Sequence, residues 1–216
     1  MLDVKEIFYS IQGEGPFAGT PAWFIRMAEC PLRCPGCDTD FRNGQKFGEE
    51  FILNQIATQR PSLVVITGGE PLAQDISTLC WGLFDEGFDV QIETSGVSCH
   101  PGNYTILDNI TIVCSPKTPK LDKNVIPHID FFKYVCRAGE IDEDGLPVEV
   151  MVGHANIKTV YRDTEVLQNY PSEVFLQPFD EVDAEQNQIN LTFAAQVCMK
   201  YGYHLTVQIH KLAGLR

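Results

Sequence analysis

The sequence predicts an α/β protein, a partial (β/α) barrel of about six mostly parallel strands. Three observations lead there. Short apolar runs of strand length alternate with helical patterns of about a dozen residues, the spacing of parallel strands joined by right-handed crossovers. Clusters of glycine and polar residues recur directly after the strand runs, where a barrel of this kind carries its site. The 216 residues, 44% of them hydrophobic, supply one large core and do not demand a second domain. About six strands are too few to close an eightfold barrel, so the barrel is partial.

Taken in order, Trp23 to Met27 reads as a strand leading into a cysteine loop. From Glu50 to Arg60, Phe51, Ile52 and Ile56 share a helical face, and Pro61 ends that helix. Leu63 to Thr67 is a buried-strand run that stops at Gly68, Gly69, Glu70 and Pro71. Ala73 to Glu86 is an amphipathic helix stopped by Gly87, and Asp89 to Thr94 is the next strand, followed by Ser95 and Gly96. Ile110 to Cys114, Phe131 to Cys136 and Glu173 to Gln177 are further strands. The last helix runs roughly from Leu191 to Tyr201, ends at Gly202, and is followed by a closing strand from His204 to His210. The acidic, glycine-bearing segment 139–153 breaks the pattern and reads as an insertion or hairpin loop within a single domain spanning 1–216.

Bulk properties exclude several classes. A net charge of −13 without long blocks of like charge argues against nucleic acid as a partner, which needs a basic surface. It favours a small-molecule substrate met by a few placed cations. The N-terminus carries acids early and has no signal-peptide pattern. The longest apolar run, Leu63 to Ile66, is far too short to cross a bilayer. Eight cysteines without an export signal point to a reducing cytoplasm.

Three of those cysteines, Cys30, Cys34 and Cys37, are spaced x3 and x2 on one short loop. Three thiolates can hold three irons of a [4Fe–4S] cube and leave the fourth open to a small molecule. A zinc knuckle would want a fourth Cys or His nearby, and none follows within twenty positions. Three close cysteines cannot all pair as disulfides. The other five, Cys80, Cys99, Cys114, Cys136 and Cys198, are scattered singly and read as small core residues. Thr67 to Pro71 is a second motif, a strand-to-helix turn whose glycines let backbone approach a ligand and whose carboxylate can bind an ammonium group. Taken alone, it reads equally well as an ordinary turn.

Together these two motifs resemble the radical S-adenosylmethionine (SAM) enzymes. Over nearly the whole chain the resemblance narrows to the 7-carboxy-7-deazaguanine synthases. It is carried by Glu6 to Gly15, Phe24 to Arg26, Cys30 to Thr39, Thr67 to Pro71, Glu93 to Gly96, Ser115 to Lys117, Leu176 to Pro178 and Gln208 to Arg216. The cysteine triplet specifies only the superfamily; the segments around Gln12, Thr39 and His210 are more discriminating.

This resemblance implies a radical SAM core and a ring contraction. 6-Carboxy-5,6,7,8-tetrahydropterin becomes 7-carboxy-7-deazaguanine with loss of ammonia, through a 5′-deoxyadenosyl radical that removes the hydrogen at C6 and is later regenerated as SAM. No side chain is then itself catalytic. The implied cofactors are a [4Fe–4S] cluster on Cys30, Cys34 and Cys37, SAM, and Mg²⁺ on Thr39. SAM would be held by Gly69, Glu70, Ser115, Pro116, Lys117 and Gln177. The pterin would be held by Ile11, Gln12, Gly13, Glu14, Arg26, Thr67, His210 and Arg216. Arg26 suits a bidentate carboxylate clamp, and Gln12 and Glu14 suit the amide and amino edge of the pterin. A neutral hydroxyl such as Thr39 makes sense because Mg²⁺ keeps waters and borrows substrate oxygens. Relatives commonly end in proline, so Arg216 departs from the pattern. A homodimer and an electron donor such as flavodoxin or ferredoxin are implied as well.

Plainer readings stand beside these. Arg26 and Lys117 also suit solvated cations, Thr39 a turn cap, Gln12 to Gly15 a plain turn, and His210 a structural imidazole. The competing functions are a glycyl-radical-enzyme-type activase, which shares the cluster but needs no pterin clamp, and a non-catalytic iron–sulfur or zinc-binding protein.

Overall fold

The computed structural model of the protein describes residues 1–34, 37, 39–56, 62–148, 150–152, 155–157, 160–170 and 173–215. The chain begins with β1 (Leu2–Ile11), which pairs antiparallel with β2 (Pro21–Met27) and, on its other edge, with β3 (Gln45–Phe47). β4 (Leu63–Gly68), β5 (Asp89–Thr94), β6 (Thr111–Cys114) and β7 (Phe131–Cys136) follow β2 in parallel. A separate antiparallel hairpin joins β8 (Val150–Val152) to β9 (Ala155–Ile157). β10 (Val174–Pro178) and the two-residue β11 (His204–Leu205) then extend the parallel row. Among the described residues the main sheet has nine strands in the order β11-β10-β7-β6-β5-β4-β2-β1-β3. The barrel is open, with β3 and β11 as its edges.

Strand alternation sorts the side chains by face. Ile25, Met27, Val64, Ile66, Val90, Ile92 and Ile112 point outward. They pack against Ile52 and Ile56 of α1 (Glu49–Ile56) and Leu79, Cys80 and Leu83 of α2 (Ser77–Asp85). α3 (Thr164–Asn169) starts at Asp163, whose carboxylate accepts from the backbone N–H groups of Glu165 and Val166. α4 (Ala184–Tyr201) covers the later strands, setting Ala194, Val197 and Cys198 against Phe132, Tyr134, Val174 and Leu176. On the concave face Ala22, Phe24, Leu63 and Val65 form a small apolar patch with Phe8 and Phe17. Beyond it that face turns polar, because Arg26, Thr67, Gln91, Glu93, Lys133 and Gln177 occupy the inward positions of their strands.

Several elements differ from the sequence expectation. The helix expected over Ala73 to Glu86 is a 3₁₀ turn at Pro71–Ala73 and then α2. Asn103 separates them: its Nδ2 donates to the carbonyls of Leu72 and Gln74, and its Oδ1 accepts from Ile76 N. Asp75 then takes the N–H of Ser77, so the helix begins there. α4 begins at Ala184 rather than near Leu191, capped by Asp183 on Gln186 N at 2.8 Å. Its first turns are polar and carry no apolar period. β1 and β3 were not expected. The strand expected from His204 to His210 ends at Leu205, and α5 (Ile209–Leu212) takes its place. Leu205, Val207 and Ile209 alternate as a strand would, but Thr206 Oγ1 accepts from Gly15 N, 2.9 Å, and turns the chain inward. The close of the first expected helix, at Arg60 and Pro61, lies outside the described residues, as does part of 139–153. What is described of that segment is a turn closed by an Ile141–Pro147 bridge, with Leu146 buried in the α4 core, followed by β8 of the hairpin.

Ile92 lies at the centre of the outward core and is fully buried. Ile92→Ala is expected to cost about 2–5 kcal/mol, read as a lower denaturant midpoint at unchanged slope.

Candidate functional site

The cysteine loop leaves the C-terminal end of β2 and is docked there by backbone. Gly69 N donates to Met27 O at 3.0 Å, and Glu70 N donates to Glu29 O at 2.9 Å. Gly68 has φ +117, and a Cβ on Gly69 would overlap the Glu29 carbonyl. Glu29 has φ 63 and is pinned on its other side by its own N–H to Phe41 O, 3.0 Å. The loop bears Cys30 and Cys34, both half-buried, and Cys37, exposed. Burial pushes the Cys30 thiol up to about 11, the Leu32 N–H opposes it, and Glu70, Cys34 and Cys37 raise it further. Burial also raises Cys34, against the pull of Lys117. The three thiols thus share one electrostatic neighbourhood. Among the described residues no three metal-ligating side chains are gathered into a ready cage.

A belt of hydrogen bonds carries the rim onward from this dock. The Glu70 carboxylate is fully buried and accepts from Leu72 N (3.3 Å), Thr94 Oγ1 (2.5 Å), Ser95 N (2.9 Å) and Ser95 Oγ. Burial raises its pKa, and these bonds oppose the rise. The sequence suggested an ammonium ligand at Glu70; the structure spends the carboxylate on tying the ends of β4 and β5 together. Ser115 N donates to Thr94 O at 2.7 Å, and Lys117 Nζ turns back to Ser115 O (3.3 Å) and Ser115 Oγ (2.5 Å). Lys117 is half-buried at the rim, not a solvated cation. Pro116 is buried beside it, and Gln177 at the end of β10 is 7% exposed with a buried carbonyl oxygen that has no hydrogen-bond partner among the described residues.

Arg26 lies at the top of the concave face, opposite Glu6 of β1 and Thr67 of β4 in the strand registers. Its Nε donates to Glu6 Oε1 at 2.8 Å, its Nη1 to Thr39 Oγ1 at 3.3 Å, and its guanidinium lies 5.5 Å from the Phe8 ring centroid. It is therefore an aimed side chain.

Gln12, Gly13 and Glu14 arrive from the opposite end. β1 runs antiparallel, so Ile11 faces Pro21 at the start of β2, and the loop after it folds back into the barrel. There Gln12 Nε2 donates to Glu93 Oε1 at 2.9 Å, and Lys133 Nζ donates to Glu14 Oε2 and, at 3.3 Å, to Glu93 Oε2. Gln208 Nε2 donates to Glu14 Oε1 at 2.7 Å. Burial pushes the Glu14 carboxyl up, but the Lys133 ammonium and the Lys133 and Gln208 bonds prevail and hold it below its ordinary value. Burial likewise opposes charge on Lys133, and Glu14 and Glu93 overcome it. Ile209 N donates to Gly13 O at 3.2 Å, and the His210 ring lies so close over Gly13 that a Cβ there would overlap it. His210 thus belongs to α5, not to a strand end.

The structure thus gathers the cysteine loop, Arg26, Thr39, Thr67, Gly69, Ser115 to Lys117 and Gln177 around one mouth. Gln12, Gly13, Glu14 and His210 form its floor. Arg216 lies outside the described residues. Sequence reasoning missed Lys133, Glu93 and Glu6; an isolated charge at the inward position of the Phe131 to Cys136 strand was the available signal for Lys133. Gly69→Ala is expected to cost about 1–3 kcal/mol and to loosen the cysteine loop, read as a fall in melting temperature with faster thiol labelling at Cys30. An unchanged melt would remove the dock from the account.

Over 221 residues the chain is 40% identical to the 7-carboxy-7-deazaguanine synthase of Rhodospirillum rubrum, covering 98% of this chain and 91% of the relative. The Synechocystis enzyme of the same name is 41% identical over 220 residues (99% and 93% covered), and that of Rickettsia prowazekii 34% over 228 (99% and 88%). Among solved structures, Escherichia coli QueE matches with a TM-score of 0.70 at 24% identity, covering 96% of this chain and 93% of QueE. Streptococcus suis SuiB matches with 0.51 at 15%, covering 87% and 47%. These two show a shared fold. No family model matches the chain. At 34–41% identity along nearly its full length, the chain belongs to the 7-carboxy-7-deazaguanine synthase family.

Proposed function

We propose that this protein contracts the ring of 6-carboxy-5,6,7,8-tetrahydropterin to 7-carboxy-7-deazaguanine, releasing ammonia, as one radical SAM domain. The observation that carries this reading is the pairing, at one mouth, of a three-thiol loop with an arginine held ready for an anion. The residues fit a [4Fe–4S] cluster bearing SAM: Cys30, Cys34 and Cys37 share one loop, with Cys34 and Cys37 close enough to act on the Cys30 thiol, and among the described residues the buried Gln177 carbonyl oxygen has no hydrogen-bond partner. When bound there, that pair of cofactors supplies a carbon-centred radical that abstracts hydrogen.

The chain's own residues would then do the positioning. Cys30, Cys34 and Cys37 would hold the cluster, and because burial raises the Cys30 and Cys34 thiols, metal binding at those two must displace protons. The Gly69 backbone, Ser115, Pro116, Lys117 and Gln177 would wall the SAM site, with Glu70 fixing the rim beneath it. Arg26, braced by Glu6, would bind the pterin carboxylate. Thr39 would lend its hydroxyl oxygen to Mg²⁺, with the substrate completing the shell. Thr67, Ile11, Gln12, Gly13, Glu14 and His210 would line the pterin site, and Arg216 is carried as a candidate contact from the chain end. The reading also takes in a homodimer and a flavodoxin- or ferredoxin-type electron donor. Among the described residues no helix is long and apolar enough to cross a membrane. The relatives give no support to an activase or to a non-catalytic metal carrier.

Anaerobic reconstitution with iron, sulfide, SAM, dithionite, Mg²⁺ and carboxytetrahydropterin tests the reading. A product with the mass of 7-carboxy-7-deazaguanine is expected; turnover that needs a protein substrate would overturn it. Cys34→Ala should reduce SAM cleavage to background, because two thiolates cannot support the cube. Arg26→Ala should leave SAM cleavage without pterin intact and raise KM for the pterin about 10–100-fold. Equal loss of both would remove Arg26 from the pterin site.

A further inference from the structure

The floor of the barrel holds a buried ion cluster in which Lys133 and Glu93 have no part in the function above. Lys133, 7% exposed, stands between Phe132 and Tyr134 on β7 and donates to both Glu14 and Glu93. Two carboxylates face one ammonium, so the cluster carries a surplus negative charge if all three are ionised. Its hydrogen bonding is equally lopsided. Glu93 Oε1 already takes Gln12 Nε2 (2.9 Å) and Gln91 Nε2 (3.2 Å), whereas the fully buried Gln91 keeps a carbonyl oxygen with no hydrogen-bond partner among the described residues. The floor is therefore rich in acceptors and calls for a ligand that presents N–H donors. Buried ion pairs contribute little net stability compared with apolar packing, so their placement here points to specificity.

We propose that Lys133 is a positioning residue: anchored by Glu93, it fixes the plane of the Glu14 carboxylate toward the donor edge of a 2-amino-4-oxopyrimidine ring and thereby sets the preference for an amino over an oxo group at ring position 2. This rests on the pterin reading above. Both Glu14 oxygens are tethered, one by Lys133 and one by Gln208, so the carboxylate cannot rotate without breaking a bond. A carboxylate with both oxygens fixed pairs with two parallel N–H groups and repels an oxo group in their place.

The test compares 6-carboxypterin with 6-carboxylumazine, which has an oxo group where the pterin has its 2-amino group. Binding of each to cluster-reconstituted, SAM-loaded enzyme is measured by anaerobic calorimetry. Wild type should favour the pterin at least about tenfold, and Lys133→Met should bring the two dissociation constants within about threefold while SAM binding is retained. Because Lys133→Met leaves two carboxylates uncompensated and can fail to fold, Lys133→Met/Glu93→Gln is measured beside it; that pair keeps the cluster's net charge and should lose the preference equally. An unchanged preference in either folded variant overturns the role of Lys133. Wild type that binds neither probe overturns the pterin reading itself.

Discussion

The structure depends on a backbone contact: the Gly68–Gly69 turn lies directly against Met27 and Glu29, with no side chain between them. That contact is possible only where both residues lack a Cβ. It sets the start of the cysteine loop at a fixed height above β2 and β4. From there Glu70 ties β4 to β5, Thr94 O receives Ser115 N from β6, and Lys117 folds back on Ser115. Four successive strand ends thus form one hydrogen-bonded rim. The thiols inherit their mutual placement from it, although they lie on a loop without regular structure.

Below the rim the barrel does not fill with apolar side chains. Phe24, Val65, Phe17, Val113, Phe131 and Phe175 line only part of it, and amides, two carboxylates and an ammonium share the interior with them. Each buried charge is costly unless paired and hydrogen-bonded. The chain meets that requirement by folding the loop after β1 back through the barrel and by turning away from β11 at Thr206. Two segments far apart in sequence, Gln12 to Glu14 and Gln208 to His210, therefore meet at the floor. The open side of the sheet is where α5 lies against the chain from β1.

Much of this was legible in the sequence because it rests on local signals. The cysteine spacing, the paired glycines after an apolar strand, and the apolar runs of β2, β4, β5, β6, β7 and β10 are each written within a few residues. What escaped depends on distant partners. β1 has interrupted alternation, with a bulge between Val4 and Glu6, and is a strand because β2 and β3 flank it. The first two turns of α4 are polar and are held by Asp183 and Asn187 rather than by an apolar stripe. The end of β11 was misread because Val207 and Ile209 keep a strand-like alternation while Thr206 obeys Gly15. Lys133 is a single charge within an apolar strand, and only the fold brings Glu14 and Glu93 to it. Glu70 also accepts hydrogen bonds from Thr94 and Ser95, neighbours that its motif does not contain.

The central claim is that the three thiols build a cluster with one iron left to a small molecule. Electron paramagnetic resonance of the anaerobically reconstituted, reduced protein, recorded before and after adding SAM, tests it most directly. The account predicts a [4Fe–4S]⁺ signal that shifts when SAM binds. A signal indifferent to SAM, or zinc retained in place of iron, would contradict it.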